Sequence, residues 1–241
     1  MLPTLQIGPL VLPIPQFSLL LSLWFGLSLA EKWANKRNFS VDRLYGLVFS
    51  GLITGLIGAR IAYIFQYPTA FVQSPISIFS LNPGLLNFVS GYLLGILGML
   101  VYSSYFELSI WNALDALTPL LATMAIGLAL SHLASGESFG ETTNLPWGIY
   151  LWGAKRQPTQ IYELFAAILI FALIFRWFDS NNQPGKLFLV FTAMTASSRL
   201  FLEAFHGDSL TIIGGLRTVQ ILAWVVLALT LTLLDKISRK V

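Results

Sequence analysis

Seven apolar runs, each about the 20 residues a helix needs to cross a hydrocarbon core, take up most of this 241-residue chain. They fall roughly at 14–32, 44–66, 85–105, 110–134, 160–178, 186–206 and 212–234, with short polar connections between them. Lipid offers the backbone no hydrogen bonds, so runs of this length must close their own as helices. The expected fold class is therefore all-α: a polytopic membrane helix bundle with about seven transmembrane helices. Composition agrees, because only 10% of the residues are charged, against about a quarter in a soluble domain.

The position of the basic residues gives the orientation. Lys32, Lys36, Arg37 and Arg43 lie in the first connection, Arg176 and Lys186 flank another, and the tail DKISRKV adds three more. The positive-inside rule assigns all of these to the cytoplasm. An odd number of spans then sends the N-terminus, which has no Lys or Arg, outside and leaves the C-terminus cytoplasmic. The chain reads as a single transmembrane domain over 1–241, with a periplasmic-side loop at about 136–159. Its first residues carry neither a basic cluster nor a small-residue cleavage site, so a cleaved signal peptide is not expected.

Composition also excludes chemistries. There is no cysteine, hence no disulfide, thiolate metal site or cysteine nucleophile of the chain's own. Two histidines, His132 and His206, are too few for a histidine-rich metal site, and no metal or cofactor is expected. No basic stripe suggests nucleic acid as a partner.

Against this background the stretch SSRLFLEAFHGD, Ser197–Asp208, is unusual. It puts Arg199 and Glu203 four apart, on one helix face. A charge near the bilayer centre costs on the order of 3 kcal/mol, so such residues need a partner or a task. Either the two neutralise each other inside the bundle, or Arg199 faces an anionic ligand and Glu203 orients it. The topology adds Arg60, about two turns from the outer end of the second span, and Arg217, near the outer start of the seventh. Three arginines are thus expected at one level, joined by Lys155 and Arg156 of the external loop. Glu137, Glu163 and Glu203 lie close by and are placed to hold them through forked hydrogen bonds. A phosphate head group suits such a site, since guanidinium binds phosphate bidentately; an Arg–Glu network that only ties helices together is the plainer alternative. Gly51, Gly55 and Gly58 in the second span and Gly91, Gly95 and Gly98 in the third make small-residue faces for close packing. Trp147, Tyr150 and Trp152 suit the head-group level, and Ile76–Phe79 reads as a short interfacial segment.

Read in order, six motifs resemble one family. GARIAY (Gly58–Tyr63), Asp115 followed by Pro119, GESFGETTNLPW (Gly136–Trp147), RQPTQIYE (Arg156–Glu163), SRLFLE (Ser198–Glu203) and Gln220 match, in sequence, the landmarks of prolipoprotein diacylglyceryl transferases. The likeness runs from the IGPL near the N-terminus to the last span. It implies transfer of the diacylglyceryl group of phosphatidylglycerol to the lipobox cysteine of a prolipoprotein, releasing glycerol phosphate. It also implies a bacterial-type cytoplasmic (inner) membrane and, as partners, membrane lipid and the lipobox segment. On the resemblance Arg199 and Glu203 are catalytic, with Arg60, Glu137, Arg156, Gln160, Tyr162 and Glu163 binding substrate.

Three positions depart from the family pattern. Its histidine becomes Ser90 in SGYLLG; in its fourth-helix signature, here LALSHLASGE, an arginine becomes Ala129 and an asparagine His132. The tyrosine–glycine pair of its first helix corresponds to Phe17 and Ser18. Serine does not accept protons near neutral pH as imidazole does. His132, about one turn from Glu137, is the candidate replacement base, with a structural hydrogen-bond donor as the alternative; His206, near its helix end, is expected to be exposed. The departures leave two further possibilities: a non-catalytic paralogue that binds phospholipid or lipoprotein in the same cradle, or a transferase with another acceptor.

Overall fold

Each apolar run forms a helix, and local chemistry sets where each begins and ends. In this computed structural model a hairpin of β1 (Thr4–Ile7) and β2 (Leu10–Pro13) leads into α1 (Ile14–Lys36). Then come α2 (Val41–Gln66), the short α3 (Pro68–Gln73), α4 (Phe88–Tyr105) and α5 (Ile110–Ser135). A second hairpin, β3 (Ile149–Leu151) with β4 (Ala154–Arg156), precedes α6 (Thr159–Trp177), α7 (Lys186–Leu202) and α8 (Thr218–Ser238). Among the described residues seven helices, all but α3, are long and apolar enough to cross a membrane. The expected all-α multi-pass bundle is what the chain forms.

The structure describes residues 3–8, 10–80, 82–177, 183–209, 211 and 217–239. Outside them lie Pro9 of the IGPL motif, residues 178–182 of one basic connection, residues 212–216 at the start of the seventh run, and Lys240 and Val241 of the tail.

Capping explains the shifted boundaries. The third run was expected from residue 85, but Pro83–Leu85 is a 3-10 turn and Asn87 caps α4 by accepting from the Ser90 amide at 3.0 Å. The segment expected to be interfacial, Ile76–Phe79, is a 3-10 turn spanning Pro75–Phe79. At the start of α7 the Asp115 carboxylate accepts from the amides of Gly185 (2.7 Å) and Phe188 (2.9 Å). That placement satisfies orphan donors and complements the helix dipole. At its far end α7 stops at Leu202, and Glu203–Phe205 tighten into a 3-10 turn.

Two compact units are distinguishable, Ala34–Ala113 and Met1–Trp33 with Leu114–Val241. In the first, α2 and α4 pack through their glycines: a Cβ added at Gly95 would stand 2.9 Å from the Gly51 carbonyl oxygen, and one at Gly91 3.1 Å from that of Gly55. Only glycine permits such backbone approach. In the second unit α1 lies against α5, with Ser18 Oγ donating to the Gly127 carbonyl at 3.1 Å. Trp33, Ala122, Ile170, Ile174, Leu187 and Phe191 form its buried core. The end of α5, the start of α6, the end of α7 and the start of α8 meet at one end of this unit, joined by the ionic contacts of the site.

Candidate functional site

Glu163, in the first turns of α6, is the hub. Its Oε1 accepts from Arg199 Nη1, from Ser138 Oγ at 3.2 Å and from His206 Nε2 at 3.1 Å; its Oε2 accepts from His132 Nδ1 at 3.0 Å. A carboxylate offers about four lone-pair sites, and three of these four donors converge on Oε1. Its side chain is 10% exposed.

Arg199 and Glu203 do share a helix face, as their spacing predicts: Nε stands 3.5 Å from Glu203 Oε2. The closer partner of Arg199 is nevertheless Glu163. With Nη1 on Glu163 and Nε facing Glu203, Nη2 makes no hydrogen bond among the described residues, and the side chain remains 39% exposed. The guanidinium is thus held at two of its nitrogens and presents the third, Nη2. Glu203, 2% exposed, accepts from Ser209 Oγ at 2.6 Å through Oε1, while its Oε2, the oxygen that faces Arg199, has no hydrogen-bond partner among the described residues.

The expectation that His206 is exposed is overturned: it is 2% exposed. After the 3-10 turn the chain folds back, and residue 206 forms a β-bridge with Gly140, which carries the ring inward. Its Nδ1 lies 3.0 Å from the Leu202 carbonyl, while Nε2 lies 2.9 Å from Ser138 Oγ and 3.1 Å from Glu163 Oε1. Carbonyl and carboxylate oxygens only accept, so a ring between them is best served by protons on both nitrogens. Burial opposes that charge, but the Glu163 carboxylate and the Leu202 carbonyl outweigh it and hold His206 above its ordinary value.

Ser138 was not foreseen as part of the site. It is a buried non-glycine residue at φ +56°, a left-handed conformation that costs an L-residue roughly 1–2 kcal/mol. That backbone turn aims Oγ at Glu163 and His206. No periodicity announces it. Its neighbour Glu137, which was, is exposed and makes no ion pair among the described residues; its carbonyl accepts from Gln160 Nε2 at 3.0 Å. Gln160 is fully buried, and its Oε1 has no hydrogen-bond partner among the described residues.

The remaining residues form the frame. Arg156 donates to the carbonyls of Leu151 (3.2 Å) and Gly140 (3.3 Å) and covers the Phe139 ring at 4.6 Å. Tyr162 OH accepts from Trp147 Nε1 at 2.9 Å. Arg217, the N-cap of α8, donates to the carbonyls of Glu203 and His206 and pairs with Glu141. Of the three arginines expected at one level, Arg199 and Arg217 meet around Glu203. Arg60 belongs to the Ala34–Ala113 unit. There its Nε and Nη1 donate to the carbonyls of Ile78 (3.1 Å) and Leu85 (2.9 Å), and Nη2 donates to that of Ser77.

A largely apolar cavity of about 880 Å³ lies in the same unit as the ionic cluster, bounded by α1, α5 and α6 with Ile149 and Tyr150 of the β-hairpin. Phe17 and Ser18 line it, as do Leu130, Leu133 and Ala134 beside His132, and Ile161 two residues before Glu163. From Ile14 to Phe25 along α1, at about 1.5 Å per residue, it extends roughly 16 Å, close to half the ~30 Å hydrocarbon core. Ala129, where the family pattern has arginine, is buried.

Comparison with known proteins agrees with the motif reading. A chain from Synechocystis sp. called phosphatidylglycerol–prolipoprotein diacylglyceryl transferase is 30% identical over 236 residues, covering 90% of this chain and 82% of that one. Proteins of the same name from Nostoc sp. and Clostridioides difficile are 28% and 27% identical, covering 94% and 82% of this chain and 85% and 79% of their own. Because the family model described as prolipoprotein diacylglyceryl transferase also matches residues 4–235, the chain belongs to the prolipoprotein diacylglyceryl transferase family.

Proposed function

We propose that this chain transfers the diacylglyceryl group of phosphatidylglycerol to the lipobox cysteine of a prolipoprotein, in lipoprotein biosynthesis. The observation that carries the reading beyond family membership is Arg199, hydrogen-bonded to Glu163 and facing Glu203 with Nη2 unengaged, in the unit that also holds a leaflet-deep apolar cavity. The cavity suits an acyl chain. The free Nη2 of Arg199 suits the phosphate and the negative charge that grows on it as glycerol phosphate departs. Glu163 and Glu203 keep the guanidinium in place, while Glu137, Gln160, Tyr162 and Arg156 belong to the surrounding frame. Arg60, engaged by three carbonyls, is assigned to the integrity of its own unit.

The same reading sets the topology. Arg176 lies in the last turn of α6, Lys186 opens α7 and Lys236 lies in the last turn of α8. All stand at helix ends opposite the ionic cluster, which supports a cytoplasmic-membrane orientation with the cluster and the 136–159 loop on the outer, periplasmic side. A single domain over 1–241 is part of this proposal. Since the chain has no cysteine, Tyr150→Cys gives a clean test: an impermeant maleimide should label it in intact cells, and protection would reverse the orientation.

One observation favours a second reading. Ala129, which is buried, and the half-buried Ser90 stand where the family pattern has arginine and histidine, as in a paralogue that holds lipid or lipoprotein without reacting. The two separate in one assay of purified protein with acyl-labelled phosphatidylglycerol and a lipobox peptide bearing cysteine or serine. Cysteine-dependent transfer of label establishes the transferase. Lipid binding with no transfer establishes the second reading.

A further inference from the structure

The proposed reaction needs a thiolate, and a free thiol, with a pKa of about 8.5, is mostly protonated at neutral pH. Ser90 does not supply a base. His132 is positioned to do so. Its Nδ1 faces Glu163 Oε2 at 3.0 Å, and because a carboxylate only accepts, Nδ1 carries the proton and Nε2 keeps its lone pair. Nε2 makes no hydrogen bond among the described residues, and the side chain is 20% exposed. Glu163 cannot swing away, since Arg199, Ser138 and His206 hold its other oxygen. His132 and Arg199 both bind the Glu163 carboxylate, so the base stands at the same carboxylate as the guanidinium assigned to the phosphate. His206 has no such capacity: both its ring nitrogens are engaged and the ring is buried.

We propose that His132, held in one tautomer by Glu163, is the base that removes the proton from the acceptor thiol, in place of the histidine missing at position 90. The inference rests on the transferase reading. Nε2 takes the S–H proton, and the sulfur forms a bond to the glycerol carbon of the diacylglyceryl group. The C–O bond to phosphate breaks, and its electron pair leaves on the glycerol phosphate oxygen. The imidazolium then passes its proton to that phosphate or to water. Glu163 is the positioning residue, in the base-and-orienter arrangement of nucleophile-activating sites. The charged groups that bear on His132 are Glu163 from α6 and Arg199 from α7, with His206 beyond Glu163; α1 has no ionisable side chain before Glu31.

The test uses the full-length protein, acyl-labelled phosphatidylglycerol and the lipobox-cysteine peptide. His132→Gln should lower turnover by about 100-fold or more, the usual worth of a positioned base, while lipid KM stays within about two-fold because ground-state binding is untouched. The wild type is expected to lose rate toward acid pH, that loss should be absent from this variant, and added imidazole should partly restore His132→Ala. If His132→Gln does not fold, His132→Asn, the residue type of the family pattern, carries the same expectations. Wild-type turnover with an unchanged pH profile in a folded variant overturns the inference and leaves the transferase reading intact. Absence of transfer by the wild type overturns the transferase reading itself, and the inference with it.

Discussion

Arg60 and Arg199 are both arginines inside apolar helices, and they are satisfied in opposite ways. In the Ala34–Ala113 unit the Arg60 guanidinium is consumed by the neutral carbonyls of Ser77, Ile78 and Leu85, which close the chain after α3 against α2. In the other unit Arg199 is held by the carboxylates of Glu163 and Glu203 and keeps Nη2 free on a partly exposed side chain. Carbonyls spread over three residues use a guanidinium as a clasp for the backbone. Carboxylates on one side aim it. The partner, more than the presence of an intramembrane charge, separates an arginine that maintains structure from one available to a ligand.

The largest effect that can break this comparison is on turnover. Arg199→Ala should reduce diacylglyceryl transfer per folded molecule by roughly 100- to 1,000-fold, the scale for losing one electrostatic contact to the departing oxygen. Equal losses from Arg60→Ala and Arg199→Ala, at equal stability, would erase the distinction. Next in size is the glycine seam. Gly95→Leu drives a side chain into the Gly51 carbonyl and should destabilise the protein by about 1–3 kcal/mol, as overpacking does; a melt in detergent reads it. Arg60→Ala comes below that, because water reaches the carbonyls it leaves without donors and reduces the ~1 kcal/mol or more that a fully buried orphan would cost. It should lower the melting temperature while transfer by the folded fraction stays within about ten-fold.

Most of the fold was legible because lipid imposes one rule on every span: long apolar runs must be helices. What hydropathy does not encode is where polarity ends a helix. Asn87 begins α4 three residues later than the apolar run, and α7 stops at Leu202 although the run extends to 206. The site was legible in part. The Arg199–Glu203 spacing reads directly from helical geometry, and the RQPTQIYE motif drew attention to Glu163. That Glu163, 36 residues from Arg199, is the hub depends on tertiary placement. Ser138 and His206 were invisible for a further reason: one owes its direction to a left-handed backbone turn, the other to a chain reversal that pairs it with Gly140. Local periodicity carries neither.

The smallest expected effect sharpens the comparison from inside the ionic cluster. If carboxylates aim Arg199, the buried His206 imidazolium on the same Glu163 oxygen is part of what holds that carboxylate still. His206 is raised in the folded protein, against burial, by the Glu163 carboxylate and the Leu202 carbonyl. A raised group stabilises fully below its unfolded value, about 6.5, and its contribution fades as pH rises through the higher folded value. His206→Gln keeps a side-chain hydrogen bond but loses the charge, so it should cost on the order of 1 kcal/mol at acid pH and progressively less toward alkaline pH. The gap between the wild-type and variant melting temperatures, followed across that range, should therefore close as pH rises. A gap that stays constant would mean that His206 is neutral and acts only by packing, leaving Arg199 as the one cation on Glu163.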